Sequence, residues 1–215
     1  MNKSLAILAI NVVILINVAH SITIGTITDV KNHGDMSLEV RSMRSDKELD
    51  HAEDLCLTMF SFRVDDANAR CIDYNLCRPF AFGAWQGDKL ISFVAIIDVV
   101  PRLSQTFSSL LKGDNVAKYG HVMNLLTRKE YQRSGIATKF AIMVIKYYIQ
   151  THALTKNGII ADVAGDVPGL VRMYERYGLR NIGRREYTVA GNSYSNTIMA
   201  AKFEDLLRSL ASTSN

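Results

Sequence analysis

In Gln132-Arg133-Ser134-Gly135-Ile136-Ala137 a glycine and an alanine stand two residues apart, beside an arginine, where an apolar stretch gives way to helical periodicity. Residues 122–127 are apolar, of strand length, and end at charged residues, so they read as a strand. Beyond the hexapeptide, Ile136, Phe140, Val144 and Tyr148 form one row at helical spacing, and Ala137, Ala141, Ile145 and Ile149 form the adjacent row. The first amides of a helix have no intrahelical partner and carry the positive end of its dipole, so a phosphate placed there accepts several N–H bonds at once. Gly135 has no Cβ to hold the backbone off the phosphate, and Ala137 is small for the same reason. The chemistry expected of Arg133, Ser134, Gly135, Ile136, Ala137 and Thr138 is capture of a diphosphate by main-chain amides. Arg128, Lys129 and Arg133 add positive charge around the mouth.

The pattern Gln132-x-x-Gly135-x-Ala137 after an apolar strand resembles motif A of the GNAT superfamily of N-acetyltransferases. A second stretch about forty residues on, Tyr174-Glu-Arg-Tyr-Gly178-Leu179, resembles that family's motif B, with leucine in place of phenylalanine. The resemblance spans residues 37–203. It implies an acyl-coenzyme A-dependent N-acyltransferase, with acetyl-coenzyme A or another acyl-coenzyme A as co-substrate and no metal. It further implies that residues 132–138 hold the cofactor's diphosphate and that the strand before them splays from the next one. Pantetheine would lie in that gap, between residues 124–126 and 160–163. An amide near Leu125, with Leu126 beside it, would polarise the thioester carbonyl.

The resemblance also assigns Tyr174 as general acid toward the departing thiolate, which suits a phenol because its pKa lies near that of a thiol. A packing role against the cofactor is the alternative. The general base stays open among Asp98, His121 and Asp162, which lie on strands near the expected acceptor site; a histidine titrates in the right range. Many members of the family carry asparagine seven residues before the motif-B tyrosine. Here that position is Val167, and Asp166 beside it is the expected substitute contact to the cofactor. The acceptor is expected to be an amine of a small molecule or a protein. A domain that binds acyl-coenzyme A without turnover is the second reading, and a loop for another phosphate or sulfate the third.

The elements that must position these groups follow in order. Residues 38–43 alternate as a first strand. Ser45 and Glu48 form a capping box for a helix over 46 to about 62, with Leu49, Ala52, Leu55 or Cys56, and Met59 inward. A second helical piece over 65 to about 76 ends before Pro79 and turns Ala67, Cys71, Ile72 and Leu76 inward. On the resemblance, Arg63, Asp65, Asp66 and Arg70 are candidate acceptor contacts; a solvated helix face is the plainer reading. Strands over 80–86 and 89–100 flank Gly87-Asp88. A connection over 101–118 holds a short helix and leads to a strand over 119–127. The phosphate helix runs over 134–151, the next strand over 158–163, and a helix from Pro168 reaches a C-cap at Gly178. Strands over 179–190 and 193–203 and a short helix over 204–210 close the chain. The expected fold is α/β: a mixed, mainly antiparallel sheet of about seven strands with helices on both faces.

The chain has 215 residues, 48% hydrophobic and 21% charged, with a net charge of +4. That supports one domain over 37–211, with 212–215 frayed. No block of five basic residues occurs, so the footprint of a nucleic-acid binder is absent. Residues 4–19 are nearly all apolar behind Lys3, and Ala19-His20-Ser21 places small residues at a cleavage site. Residues 1–21 therefore read as a signal peptide and the protein as secreted or exported, with 22–36 a polar linker. An uncleaved membrane anchor is the alternative for the same segment, and a cytoplasmic or membrane-anchored protein the alternative destination. Cys56, Cys71 and Cys77 make an odd count with no metal-ligand spacing. Idle thiols are expected, a pair between Cys71 and Cys77 being the alternative.

Overall fold

The structure is a computed structural model that describes residues 21–60, 71–164, 168–189 and 191–212. Its described elements are β1 (Thr23–Ile27), β2 (Leu38–Ser42), α1 (Asp46–Phe60), α2 (Tyr74–Cys77), β3 (Ala81–Gln86) and β4 (Lys89–Asp98). They continue with α3 (Pro101–Leu110), β5 (Tyr119–Thr127), α4 (Ile136–His152), β6 (Gly158–Ala164), α5 (Pro168–Arg176), β7 (Arg180–Val189), β8 (Asn192–Lys202) and α6 (Phe203–Ser212). The eight strands make one sheet in the order β1-β2-β3-β4-β5-β6-β8-β7. Every neighbouring pair is antiparallel except β5 and β6, which α4 connects. The mixed α/β fold is the expected one.

The local signals that build it are visible. Ser45 and Glu48 exchange the two capping-box bonds, from Ser45 N to the carboxylate at 3.2 Å and from Glu48 N to the hydroxyl at 3.3 Å. Leu49, Ala52, Leu55 and Cys56 then face the sheet fully buried. The buried residues of α4, from Ile136 to Ile149, fill one face with Val40, Phe82, Val122, Ile159 and Met199. The other face carries two separate cores. One lies under α1 and α2, with Trp85, Phe93 and Leu126; the other lies under α3, with Phe107, Tyr119, Ile160 and Ile198.

Three expectations are corrected. Residues 22–36 do not form a linker. They supply β1, which pairs with β2 at the sheet edge, and a turn whose Val30 is buried in the main core. Threonine and glycine between the isoleucines dilute the strand's apolar signal, and this strand brings the sheet to eight. Leu76 is 40% exposed, not inward, because the described helix there is a single short one capped by Asp73. The cysteines also differ. Cys56 is bonded to Cys71, while Cys77 is a buried free thiol. Cys56 sits on the inward row of α1, where residue 71 returns to the same core. Residues 1–20, residues 65–70 of the expected second helix and the tail at 213–215 lie outside the described residues, as do Arg63, Asp65, Asp66 and Arg70. Among the described residues no helix is long and apolar enough to cross a membrane.

Candidate active site

Two irregularities in β5 define the site. Parallel pairing between β5 and β6 runs from Tyr119–Gly158 to Val122–Ala161 and stops. Beyond it, Met123 to Thr127 and Asp162 to Ala164 have no shared register, so the strands open toward the start of α4. The splay is the expected one, but it begins two residues later on β6 than 160–163 implied, since Ile160 and Ala161 are paired. On its other side, β5 carries an extra residue. Ala95 opposes Met123 and Phe93 opposes Leu126, leaving Asn124 and Leu125 across from Val94. That is a β-bulge, which leaves backbone groups unpaired and re-aims side chains. Asn124 takes φ +56°, and the alternation flips: Val122 and Leu125 serve the α4 face, while Met123 and Leu126 serve the other.

The turn from β5 into α4 is built by its own side chains. Ser134 Oγ donates to the Tyr131 carbonyl, and Gln132 Nε2 donates to the Thr127 carbonyl at 3.1 Å. Both side chains thus shape the turn, and their contribution to an anion is limited to the backbone. Ile136 is 1% exposed and belongs to the core. Arg133 stands at φ +63° and Gly135 at φ +86°, so two left-handed residues wind the chain into α4. Gly135 is the N-cap and no side chain caps the helix. The amides of Arg133, Gly135, Ala137 and Thr138 donate to no acceptor among the described residues. Such a set of uncapped amides fits a diphosphate, and an added Cβ on Gly135 would meet no protein atom, only the space in front of the amides.

The titratable groups fall on two sides of the opening. Tyr174 packs into the core on the α4 face with Leu125 and Val163 and is 5% exposed. Burial raises its phenol above the ordinary range, so it is a protonated donor at neutral pH. His121 and Asp162 lie on the opposite face. His121 packs edge-on against Phe107 at 5.3 Å, and its Nδ1 is buried with no partner among the described residues. Burial lowers the imidazole to about 4; the Asp162 charge raises it, while Arg185 and Arg102 lower it again. His121 is therefore neutral at pH 7 and a weak proton acceptor. Asp162 is held by Arg185, whose Nε donates at 2.9 Å, and by Asn196 Nδ2 at 2.6 Å. The sequence offered no sign of Arg185 or Asn196, because their partner lies on another strand.

Asp98 is not brought to the opening. It ends β4, paired in register with Gly120, with its side chain 85% exposed and bonded to Lys156 Nζ at 2.5 Å. Its strand was expected to bring it near the acceptor, whereas this last residue of the strand emerges into solvent. Asp166 lies outside the described residues. Among the described residues no group of side chains could hold a metal ion.

A family model described as "Acetyltransferase (GNAT) family" matches residues 48–179. The match covers more than half of the chain, and the chain belongs to the GNAT acetyltransferase family. A comparison with curated proteins gives no match. Among solved structures, Arabidopsis thaliana NAA60 in complex with acetyl-CoA shares the fold with a TM-score of 0.56 at 18% identity, over 78% of this chain and 99% of that one. The same protein in complex with a bisubstrate analogue gives 0.57 at 17%, over 77% and 97%. An acetyltransferase of the GNAT family from Streptococcus pneumoniae gives 0.54 at 14%, over 77% and 99%.

Proposed function

We propose that the protein is an acyl-coenzyme A-dependent N-acyltransferase acting on an amine of a small molecule or protein. The observation that carries this reading is the coincidence of the unpaired amides of Arg133, Gly135, Ala137 and Thr138 with a strand pair that parts at Val122–Ala161. A diphosphate held at the first would direct a pantetheine arm into the second. That a fold neighbour is solved with acetyl-CoA supports the same donor here.

The donor supplies an acyl group on a thioester. The chain supplies the rest. The bulge at Asn124–Leu125 offers backbone groups to the thioester carbonyl. Tyr174, protonated and on the α4 face, gives its phenolic proton to the leaving sulfur on the side from which the donor enters. On the other face the amine enters already neutral, having lost its proton to solvent, because His121, lowered to about 4 by burial, is too weak a base to deprotonate an ammonium; the Asp162 charge lies on that face. Arg185 and Asn196 hold Asp162 in place.

The destination belongs to the same proposal. A cleavable segment at 1–21 would carry the domain into an oxidising compartment, and the Cys56–Cys71 bond supports that reading because such bonds persist there. Acyl-coenzyme A would then have to be met at the final destination.

Differential scanning fluorimetry with coenzyme A and acyl-coenzyme A thioesters, followed by thiol release with a panel of amines, tests the function. A rise in Tm with free coenzyme A, and amine-dependent thiol release, is expected. No stabilisation by any thioester overturns the reading; stabilisation without release with any amine leaves a binding module.

A further inference from the structure

At the end of α4 away from the phosphate turn lies a cavity of about 170 Å³, lined in part by Arg44, Arg78, Phe80, Phe82, Tyr147 and His152. None of its lining residues belongs to β5, β6 or the phosphate turn. α4 has 17 residues, about 25 Å at 1.5 Å per residue, so this cavity and the start of the helix are well separated. Its apolar walls are rings already in contact with one another. The Phe80 ring lies 5.0 Å from Phe82, 5.9 Å from Tyr147 and 5.2 Å from His152, and Phe82 lies 5.5 Å from Tyr147. Phe80 and Phe82 are buried, so these walls are part of the fold. The volume compares with the roughly 150 Å³ that accommodates one benzene ring.

The polar side of the cavity is cationic. The Arg44 guanidinium has no partner among the described residues. Arg78 gives one nitrogen to Asp46 and keeps the other donors of its fork. The acids nearby are already engaged. Arg78 takes Asp46, the amides of Asn75 and Leu76 take Asp73, and Arg41 with the amides of Arg44 and Ser45 takes Glu48. The C-terminus of a helix opposes an anion through its free carbonyls, but those of α4 are occupied. Ala153 N donates to the Ile149 carbonyl at 3.0 Å, Lys156 N to that of His152 at 2.8 Å, and the Thr151 hydroxyl to that of Tyr147 at 2.9 Å. The two guanidiniums therefore decide which charge the cavity accepts. Their paired N–H groups match a planar carboxylate, and the aromatic walls match an apolar ring.

We propose that this cavity is a second ligand site, separate from the opening between β5 and β6, and that it takes a small aromatic monocarboxylate, with the ring against Phe80, Phe82 and Tyr147 and the carboxylate on Arg44 and Arg78. The inference does not rest on the acyltransferase reading.

Amide chemical-shift mapping with benzoate as probe tests it, beside benzamide, which keeps the shape without the charge, and acetate, which keeps the charge without the ring. Benzoate should bind wild type with a Kd of about 1 mM or tighter. Its shifts should fall at residues 42–44, 78–82 and 147–152 and spare residues 133–138. Benzamide and acetate should each bind about tenfold more weakly. Arg44→Gln and Arg78→Gln, each read separately, should weaken benzoate by about fivefold or more, leave benzamide unchanged and stay within a few degrees of the wild-type Tm, because neither side chain is part of the core. The distant Arg208→Gln, on α6, should match wild type. No shifts with 10 mM benzoate, shifts elsewhere on the protein, benzamide equal to benzoate, or full benzoate affinity in a folded arginine variant would each overturn the proposal.

Discussion

Val122 and Ala161 are the last residues that β5 and β6 share. Two positions further, a bulge turns Leu125 toward α4 and Leu126 toward α1. A parallel pair in mid-sheet would ordinarily stay zipped, because each open position leaves backbone donors and acceptors without partners. Here the opening lies in line with the uncapped start of α4, so both sets of unsatisfied groups face one place. On the acyltransferase reading proposed above, phosphates would lie at the helix, the thioester at the bulge and the acceptor on the far face.

Gly135→Ala tests the helix end. Gly135 sits at φ +86°, where a Cβ costs about 1 kcal/mol. No protein atom stands within 4 Å of that Cβ, so the fold should survive with stability lowered by about that amount. The methyl would point into the space a phosphate fills. Affinity for coenzyme A should fall by about tenfold or more. Urea unfolding and titration calorimetry read the two effects separately, and unchanged affinity would move the phosphate elsewhere.

Tyr174→Phe separates packing from proton transfer. The ring is buried, and its hydroxyl makes no hydrogen bond with the described residues, so phenylalanine keeps the packing. If the phenol protonates the leaving sulfur, kcat should drop by about a hundredfold with KM for the donor nearly unchanged. A kcat within twofold of wild type would reduce Tyr174 to packing.

The parts legible in the sequence are those whose signal is local. The strand at Tyr119–Thr127 shows as an apolar run, the helix at Ile136–His152 as two rows, and the Ser45–Glu48 cap as its own spacing. What escaped is set by partners distant in sequence. Thr23–Ile27 becomes a strand only because the edge of β2 is there to pair with it. Cys56 meets Cys71 because α1 turns Cys56 toward the core to which residue 71 returns. Arg185 and Asn196 matter through Asp162, on a different strand. Asp98 was expected near the acceptor, but it ends β4 opposite Gly120, away from the opening, and pairs with Lys156.

His121 gives the fold a pH dependence of known sign. Its imidazole falls from 6.5 in the unfolded chain to about 4 in the folded one, through burial. Between those values the unfolded state binds more protons, so stability rises with pH across that window. The contribution is complete above 6.5 and is lost as pH falls toward 4; its ceiling is about 3 kcal/mol. Urea midpoints measured from pH 4 to pH 7 should rise steeply for wild type and less steeply for His121→Gln. Parallel slopes for the two proteins would show that His121 does not titrate as its burial requires.

The Cys56–Cys71 bond should be as important for stability as any single core contact. It joins positions fifteen residues apart, and a loop of that length is restrained in the unfolded chain by about 3 kcal/mol. Cys71 is also held by its neighbours: the Glu53 carboxylate accepts its amide at 2.7 Å, and Asn124 Nδ2 donates to its carbonyl at 3.4 Å. Cys77, by contrast, is buried and its thiol is pushed up to about 12, by burial first and then by Asp73 and Glu53, so it stays protonated and slow to exchange. Alkylation of the denatured, unreduced protein should label one cysteine, Cys77, and peptide mass mapping should recover 56 and 71 as a linked pair. Reduction should lower Tm by several degrees, and Cys56→Ala should reproduce that loss and become insensitive to reductant. Three alkylated cysteines in protein purified without reductant from an oxidising compartment would show the bond absent. The export reading would then lose its structural support.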